Sequence, residues 1–282
     1  MAAAVVRAME QRSHLLVEAG TGVGKSFAYL VPAILRACGG ETVVIATNTI
    51  QLQEQLIQKD IPLLQGALEA AGIIPESSDA VTQQRSDAAR KRDSDAVTQQ
   101  RSDAARKEEK PKAEQAGSAA SLRDSVAVPL RPVLVKGRGN YVSIRRLAQA
   151  SKRQDRLFAD AAARRTLHVI EDWATDTLDG SLSSLPAGGL ERPGVWDKVQ
   201  SDSGNCMGRR CPNYQACFYQ RARREMEGAN LLVTNHALFF SDLALRGKEV
   251  GFLPAYQHVV LDEAHNVEDV AADHFGVSLS EG

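Results

Sequence analysis

The sequence predicts an α/β fold: a parallel sheet with a site at its carboxyl edge, interrupted by a mainly helical inserted domain. Three observations predict it. A short apolar run, His14-Leu15-Leu16-Val17, enters a glycine-rich segment and then a helical pattern from Phe27 to Cys38. A second apolar run, His258-Val259-Val260-Leu261, ends on two acids. Between them lies a long stretch with a charged repeat and a cysteine-bearing region that share neither pattern. At 282 residues and 43% hydrophobic content, the chain has ample material for a core.

The first strand, loop and helix are expected to form a phosphate-binding unit. Ala19-Gly20-Thr21-Gly22-Val23-Gly24-Lys25-Ser26 fits the P-loop pattern of a small residue, four residues, then Gly-Lys-Ser. Glycines let backbone N–H groups curl around phosphates, Lys25 reaches the β- and γ-phosphates, and the Ser26 hydroxyl is a Mg²⁺ ligand. The acids after the second run complete the chemistry. Asp262 is expected to help hold Mg²⁺ and Glu263 to orient and deprotonate the attacking water.

The chain divides by pattern into four parts. Residues 1–75 read as strand, loop, helix, strand and helix. In 76–125, the segment Ser78 to Lys91 recurs identically as Ser94 to Lys107, a period of 16 residues. Two copies are too few for a solenoid. This polar, charge-rich stretch is expected to be a disordered or loosely helical insertion. Residues 126–228 read as an inserted domain, with Leu134-Val135 leading into Lys136 and helices over 144–150 and 154–175. Sheet pattern resumes in 229–282.

Three cysteines stand close together: Cys206, Cys211 and Cys217, separated by four and five residues. Without a sign of secretion, such spacing suggests metal ligation more than disulfides. Zinc with a fourth ligand from His168, His236 or elsewhere is one option, and thiols that only pack are another. Cys38, alone on the first helix, reads as a small buried apolar residue. The net charge of −1 gives no general pull towards nucleic acid, so binding would have to come from local patches. Two such patches run from Lys136 to Arg156 and around Arg209, Arg210, Arg221, Arg223 and Arg224, with Tyr141, Tyr214, Phe218 and Tyr219 interleaved as candidate stacking surfaces. No apolar run approaches the ~20 residues of a membrane span, and the expected location is cytoplasmic.

Asp262-Glu263-Ala264-His265 after an apolar strand, together with Glu18-Ala19-Gly20-Thr21-Gly22-Val23-Gly24-Lys25-Ser26, resembles the superfamily 2 DNA helicases of the DinG/XPD group. Further segments agree in the family's order: Val43 to Thr49 with Gln51 to Leu56 is similar to motif Ia, Lys136-Gly137-Arg138-Gly139-Asn140-Tyr141 to the entry of the iron–sulfur domain, and Leu231 to Leu238 to the return to the motor. The resemblance implies a RecA-like lobe and an ATP-dependent helicase moving 5′-to-3′ on single-stranded or forked DNA as a monomer, with His265 coupling nucleotide state to DNA contacts. It also implies a 4Fe–4S cluster on four cysteines. Here Ser143 stands at the fourth position, so a cluster with oxygen or water at one iron, a 3Fe–4S cluster, or no cluster remain as outcomes. Since family motors clamp ATP between two lobes and only 266–282 follow the acids, the chain is read as part of a longer helicase that lacks its second lobe here. An ATP- and nucleic-acid-binding regulatory module without unwinding is the alternative.

Overall fold

The computed structural model describes residues 1–20, 22–76 and 128–275. The repeat-bearing insertion expected over 76–125 lies, apart from its first residue, outside the described residues, as does Thr21 of the loop.

Four short strands form one parallel sheet: β1 (Val43–Thr47), β2 (Pro132–Leu134), β3 (Leu231–Asn235) and β4 (His258–Leu261), in the order β2-β3-β1-β4. Alternation along β1 explains the layering. Val43 and Ile45 face a core with Leu30 and Ile34 of α2 (Lys25–Cys38) and Ile61 of α4 (Ile61–Ala70), which follows α3 (Ile50–Gln55). Val44 and Ala46 face the opposite core with Phe239 and Phe240, near the start of the later helix His236–Arg246. A strand covered on both faces reads as a continuous apolar run, and Val43 to Ala46 is one. Between α3 and α4 the chain makes a π turn over Leu56–Asp60 just before Pro62, whose missing N–H would interrupt a regular ladder.

The side chain of Asn230 stitches the sheet to its surroundings. Its amide donates to Ala37 O at 3.1 Å and Pro129 O at 3.0 Å, while its oxygen accepts from Arg131 N at 2.7 Å.

One expected strand does not form. The first helix, α1 (Ala2–Gln11), packs on α2 with Glu10 and Arg36 3.4 Å apart, and Arg12 in the left-handed region ends it. The next residues leave that helix without pairing to β4, and Leu16 is 89% exposed. Four apolar residues supply a tendency towards extension, but pairing requires a neighbour in register. Among the described residues β4 is therefore an edge strand.

The inserted body has its own apolar cluster. Into it pack α5 (Ile144–Lys152), α6 (Gln154–Leu157), α7 (Ala161–Asp176), α8 (Trp196–Val199) and α9 (Phe218–Glu227) through Leu147, Phe158, Leu167, Ile170, Trp196 and Phe218. The single helix expected over 154–175 is two, because Phe158 turns into the core and Asp160 caps a new helix by accepting from Ala162 N at 3.0 Å. Lys136 joins this body to the sheet layer: its buried ammonium donates to Glu54 of α3 at 3.1 Å and to Ser181 and Ser183 at 2.8 and 2.6 Å. The helix after β3 is α10 (His236–Arg246), and α11 (Val267–Phe275) packs against it. No helix among the described residues is long and apolar enough to cross a membrane.

Candidate nucleotide-binding site

The glycine-rich segment caps the N-terminus of α2. Gly22 and Gly24 have φ of 77° and 78°, a region that side chains disfavour, and nothing lies within 4 Å of where their Cβ atoms would be. The result is an open backbone cradle leading into a helix end that carries partial positive charge. Lys25 is the first residue of α2 and Ser26 the second, with Ala19, Gly20 and Val23 in the loop before them.

Parallel pairing brings the acids to this cradle. Leu261 of β4 sits opposite Ala46 of β1, and the next residue, Asp262, donates its N–H to Ala46 O at 2.8 Å. Glu263 then adopts φ 53°, an uncommon conformation for a residue with a side chain. Its carboxylate lies 3.8 Å from Lys25 Nζ through Oε1 and 3.4 Å from His265 Nδ1 through Oε2. His265 is 67% exposed at the side chain and pairs with Asn266 Nδ2 at 2.9 Å. Lys25, Ser26, Asp262, Glu263 and His265 thus meet at one edge of the sheet. Both Lys25 and Glu263 are about one-third exposed, so their ion pair is worth under about 1 kcal/mol and yields readily to a phosphate ligand.

Two side chains here were not singled out from sequence for the nucleotide site. Tyr29 donates its hydroxyl to Asp262 Oδ2 at 2.9 Å, and the i, i+3 relation to Ser26 was the available signal. His236, considered only as a zinc ligand, is fully buried under the acids with Nε2 3.1 Å from Ala46 O. A carbonyl only accepts, so Nε2 carries the hydrogen, and burial, outweighing its hydrogen-bonding partners, depresses protonation of the ring below the usual histidine range.

The cysteines form a separate place. Cys206, Cys211 and Cys217 line one pocket with Ser143, Arg138, Arg145 and Tyr214. Among the described residues, no three of His, Cys, Asp and Glu are grouped to hold a single metal ion. Neither histidine considered as a fourth zinc ligand lies with the thiols: His236 belongs to the sheet, and His168 pairs with Glu171 at 3.0 Å. Ser143 is engaged as the N-cap of α5, its hydroxyl accepting from Arg146 N at 3.4 Å. Desolvation works against ionisation of Cys206, but the Gly208 N–H and the Arg138 and Arg145 guanidiniums outweigh it, and the thiol falls below its ordinary range. Burial pushes the Cys38 thiol up to about 11. In protein free of any metal or cluster, iodoacetamide at neutral pH should therefore modify Cys206 first and leave Cys38 untouched until the chain unfolds, as peptide mass spectrometry would read. Equal rates at the two would contradict this.

The aromatic and basic candidates divide. Tyr141 and Phe218 are core residues and do not serve as stacking platforms, because both are enclosed in the inserted body's apolar cluster. Several arginines are likewise committed to structure. Arg146 donates to Gln200 O at 2.6 Å and Asp197 O at 2.8 Å, Arg221 to Leu178 O, and Arg138 stacks 4.4 Å over Tyr219. Lys152, Arg153, Arg209 and Arg210 remain exposed.

A parallel sheet with a glycine cradle at a helix N-terminus and two acids beside it has the architecture of a RecA-like P-loop fold, and the comparisons agree with that fold. Residues 1–107 match the DEAD/DEAH box helicase family. More narrowly, residues 205–282 match DEAD_2. The chain is 31% identical over 283 residues to the ATP-dependent DNA helicase YoaA of Escherichia coli (strain K12), covering 99% of this chain and 34% of that protein. It is 33% identical over 284 residues to the ATP-dependent helicase DinG of Mycobacterium tuberculosis (strain ATCC 25618 / H37Rv), with 95% and 34% covered. Against the ATP-dependent DNA helicase DinG of Salmonella choleraesuis (strain SC-B67) the identity is 28%, with 95% and 31% covered. The chain thus spans about a third of the length of the curated relatives it matches.

Proposed function

We propose that this chain is the nucleotide-binding part of an ATP-dependent DNA helicase that translocates on single-stranded DNA, 5′-to-3′ as the resemblance implies. One observation carries the reading: Lys25 and Glu263, from opposite ends of the chain, meet at the mouth of an open glycine cradle. In this reading the backbone from Ala19 to Gly24 and the Lys25 ammonium bind the phosphates, Ser26 and Asp262 hold Mg²⁺, and Glu263 accepts the proton of the attacking water. Mg²⁺, when bound, supplies positive charge to the phosphate oxygens. Lys25 exchanges its Glu263 partner for phosphate, which releases the carboxylate to act as base. His265, beside Glu263 and open to solvent, links that event to nucleic acid. The division into 1–75 with 229–282 as motor, 76–125 as insertion and 126–228 as inserted domain belongs to the same reading, as do DNA contacts by Lys152, Arg153, Arg209 and Arg210.

Hydrolysis of ATP by the full-length protein, with and without single-stranded DNA, tests it. Stimulation by DNA supports the motor. Nucleotide bound without hydrolysis favours the regulatory module, and no nucleotide binding overturns both.

The pocket of Cys206, Cys211 and Cys217 is assigned in this reading to an iron–sulfur cluster held by three thiolates. A single ion needs its donors drawn to one point, whereas a cluster distributes thiolates over separate irons. Three thiols facing one pocket, a thiol stabilised as thiolate and a peptide N–H on its sulfur support that donor set. Ser143 offers a hard oxygen already used in capping, so it is a poor fourth ligand. Anaerobically purified protein should contain iron and acid-labile sulfide, both lost in Cys211→Ser. Well-folded protein without either would mean that the thiols only pack.

A further inference from the structure

Tyr29 joins the two halves of the nucleotide site. It lies three residues after Ser26 on α2, its ring is buried with Leu30 and Ile34, and its hydroxyl donates to Asp262 Oδ2 at 2.9 Å.

We propose that Tyr29 is a positioning residue for the divalent cation, holding the Asp262 carboxylate in place beside the N-terminus of α2 before nucleotide arrives. The inference rests on the nucleotide site proposed above and adds a residue to it. Ser26 and Asp262 come from elements that meet only through the fold. A carboxylate bonded through Oδ2 loses rotamers and keeps Oδ1 for the ion. The phenol ring, held in the core three residues after Ser26, fixes where that carboxylate sits relative to α2, and such preorganisation lowers the ordering cost of binding.

Tyr29→Phe tests this because it keeps the ring and removes only the hydroxyl. Binding of a fluorescent ATP analogue should be unchanged in EDTA, while the Mg²⁺ concentration giving half-maximal enhancement of binding should rise about tenfold, the size expected for losing a hydrogen bond to a charged group. An unchanged Mg²⁺ requirement overturns the inference. So does an equal loss of affinity with and without Mg²⁺, the mark of a merely structural role. A double-mutant cycle with Asp262→Asn is a second measurement: because Tyr29 acts through Asp262, adding Tyr29→Phe to that variant should raise the requirement no further, and additive losses overturn the assignment. If the unaltered chain bound no nucleotide, the functional reading itself would fall; binding with an unchanged requirement in Tyr29→Phe removes only the role given to Tyr29.

Discussion

In the full-length protein, Lys25→Ala is expected to reduce ATP hydrolysis by about 10²–10³-fold and to weaken binding of Mg-ATP by about tenfold, with little effect on folding. The first figure is the usual consequence of deleting one charged or hydrogen-bonding group aimed at a transition state. The second follows from losing a cation beside phosphate. Folding should survive because the partner lost in the free protein is Glu263, 3.8 Å away and about one-third exposed, an arrangement worth under about 1 kcal/mol. A coupled hydrolysis assay and calorimetric binding, beside a thermal melt, separate these effects. Hydrolysis retained at the level of the unaltered protein would refute the site.

Gly180→Val should damage the inserted body most. A Cβ at this position would lie 2.2 Å from Phe218 Cγ, and the φ of 62° is one that a β-branched residue resists. Neither cost is easily relieved: Gly180 O accepts from Val142 N at 2.9 Å, its N–H donates to Thr177 Oγ1 at 3.1 Å, and Phe218 is held in the core. Overpacking and the backbone penalty together amount to about 3 kcal/mol. The chain has two tryptophans, Trp173 and Trp196, and both belong to this body, with ring centroids 6.2 Å apart. Their fluorescence therefore reports it selectively. The urea midpoint read that way should fall by about 1–2 M. Because Phe218 follows Cys217, the cysteine pocket should loosen as well, and an unchanged midpoint would show that the ring moves aside at no cost.

Much of this was legible in the residues. The P-loop spacing and the acids after an apolar run specify chemistry that only certain side chains perform, so Lys25, Ser26, Asp262, Glu263 and His265 could be named together before any geometry. β1 was legible because a strand covered on both faces is apolar throughout. His14 to Val17 misled for the converse reason: a short apolar run says that burial is favourable but not which neighbour provides it. Tyr141 and Phe218 looked like stacking surfaces because aromatic rings beside arginines read the same in a groove or in a core, and only three-dimensional enclosure tells them apart. Inside the helix expected over 154–175, Asp160 caps a second helix, a break that apolar periodicity does not show. Tyr29 was hidden because its partner lies at the far end of the chain.

The position of β1 in the sheet has a consequence for how the protein is made. Val43 is flanked by Leu231 on one side and His258 on the other. During synthesis β1 emerges long before either of the strands that flank it and waits with both edges uncovered. Nascent chains with such long-range pairing fold late and expose sticky intermediates. The inserted body, whose contacts fall largely between Tyr141 and Phe218, is complete before β4 leaves the ribosome. The inserted body would thus assemble before the sheet that carries the nucleotide site.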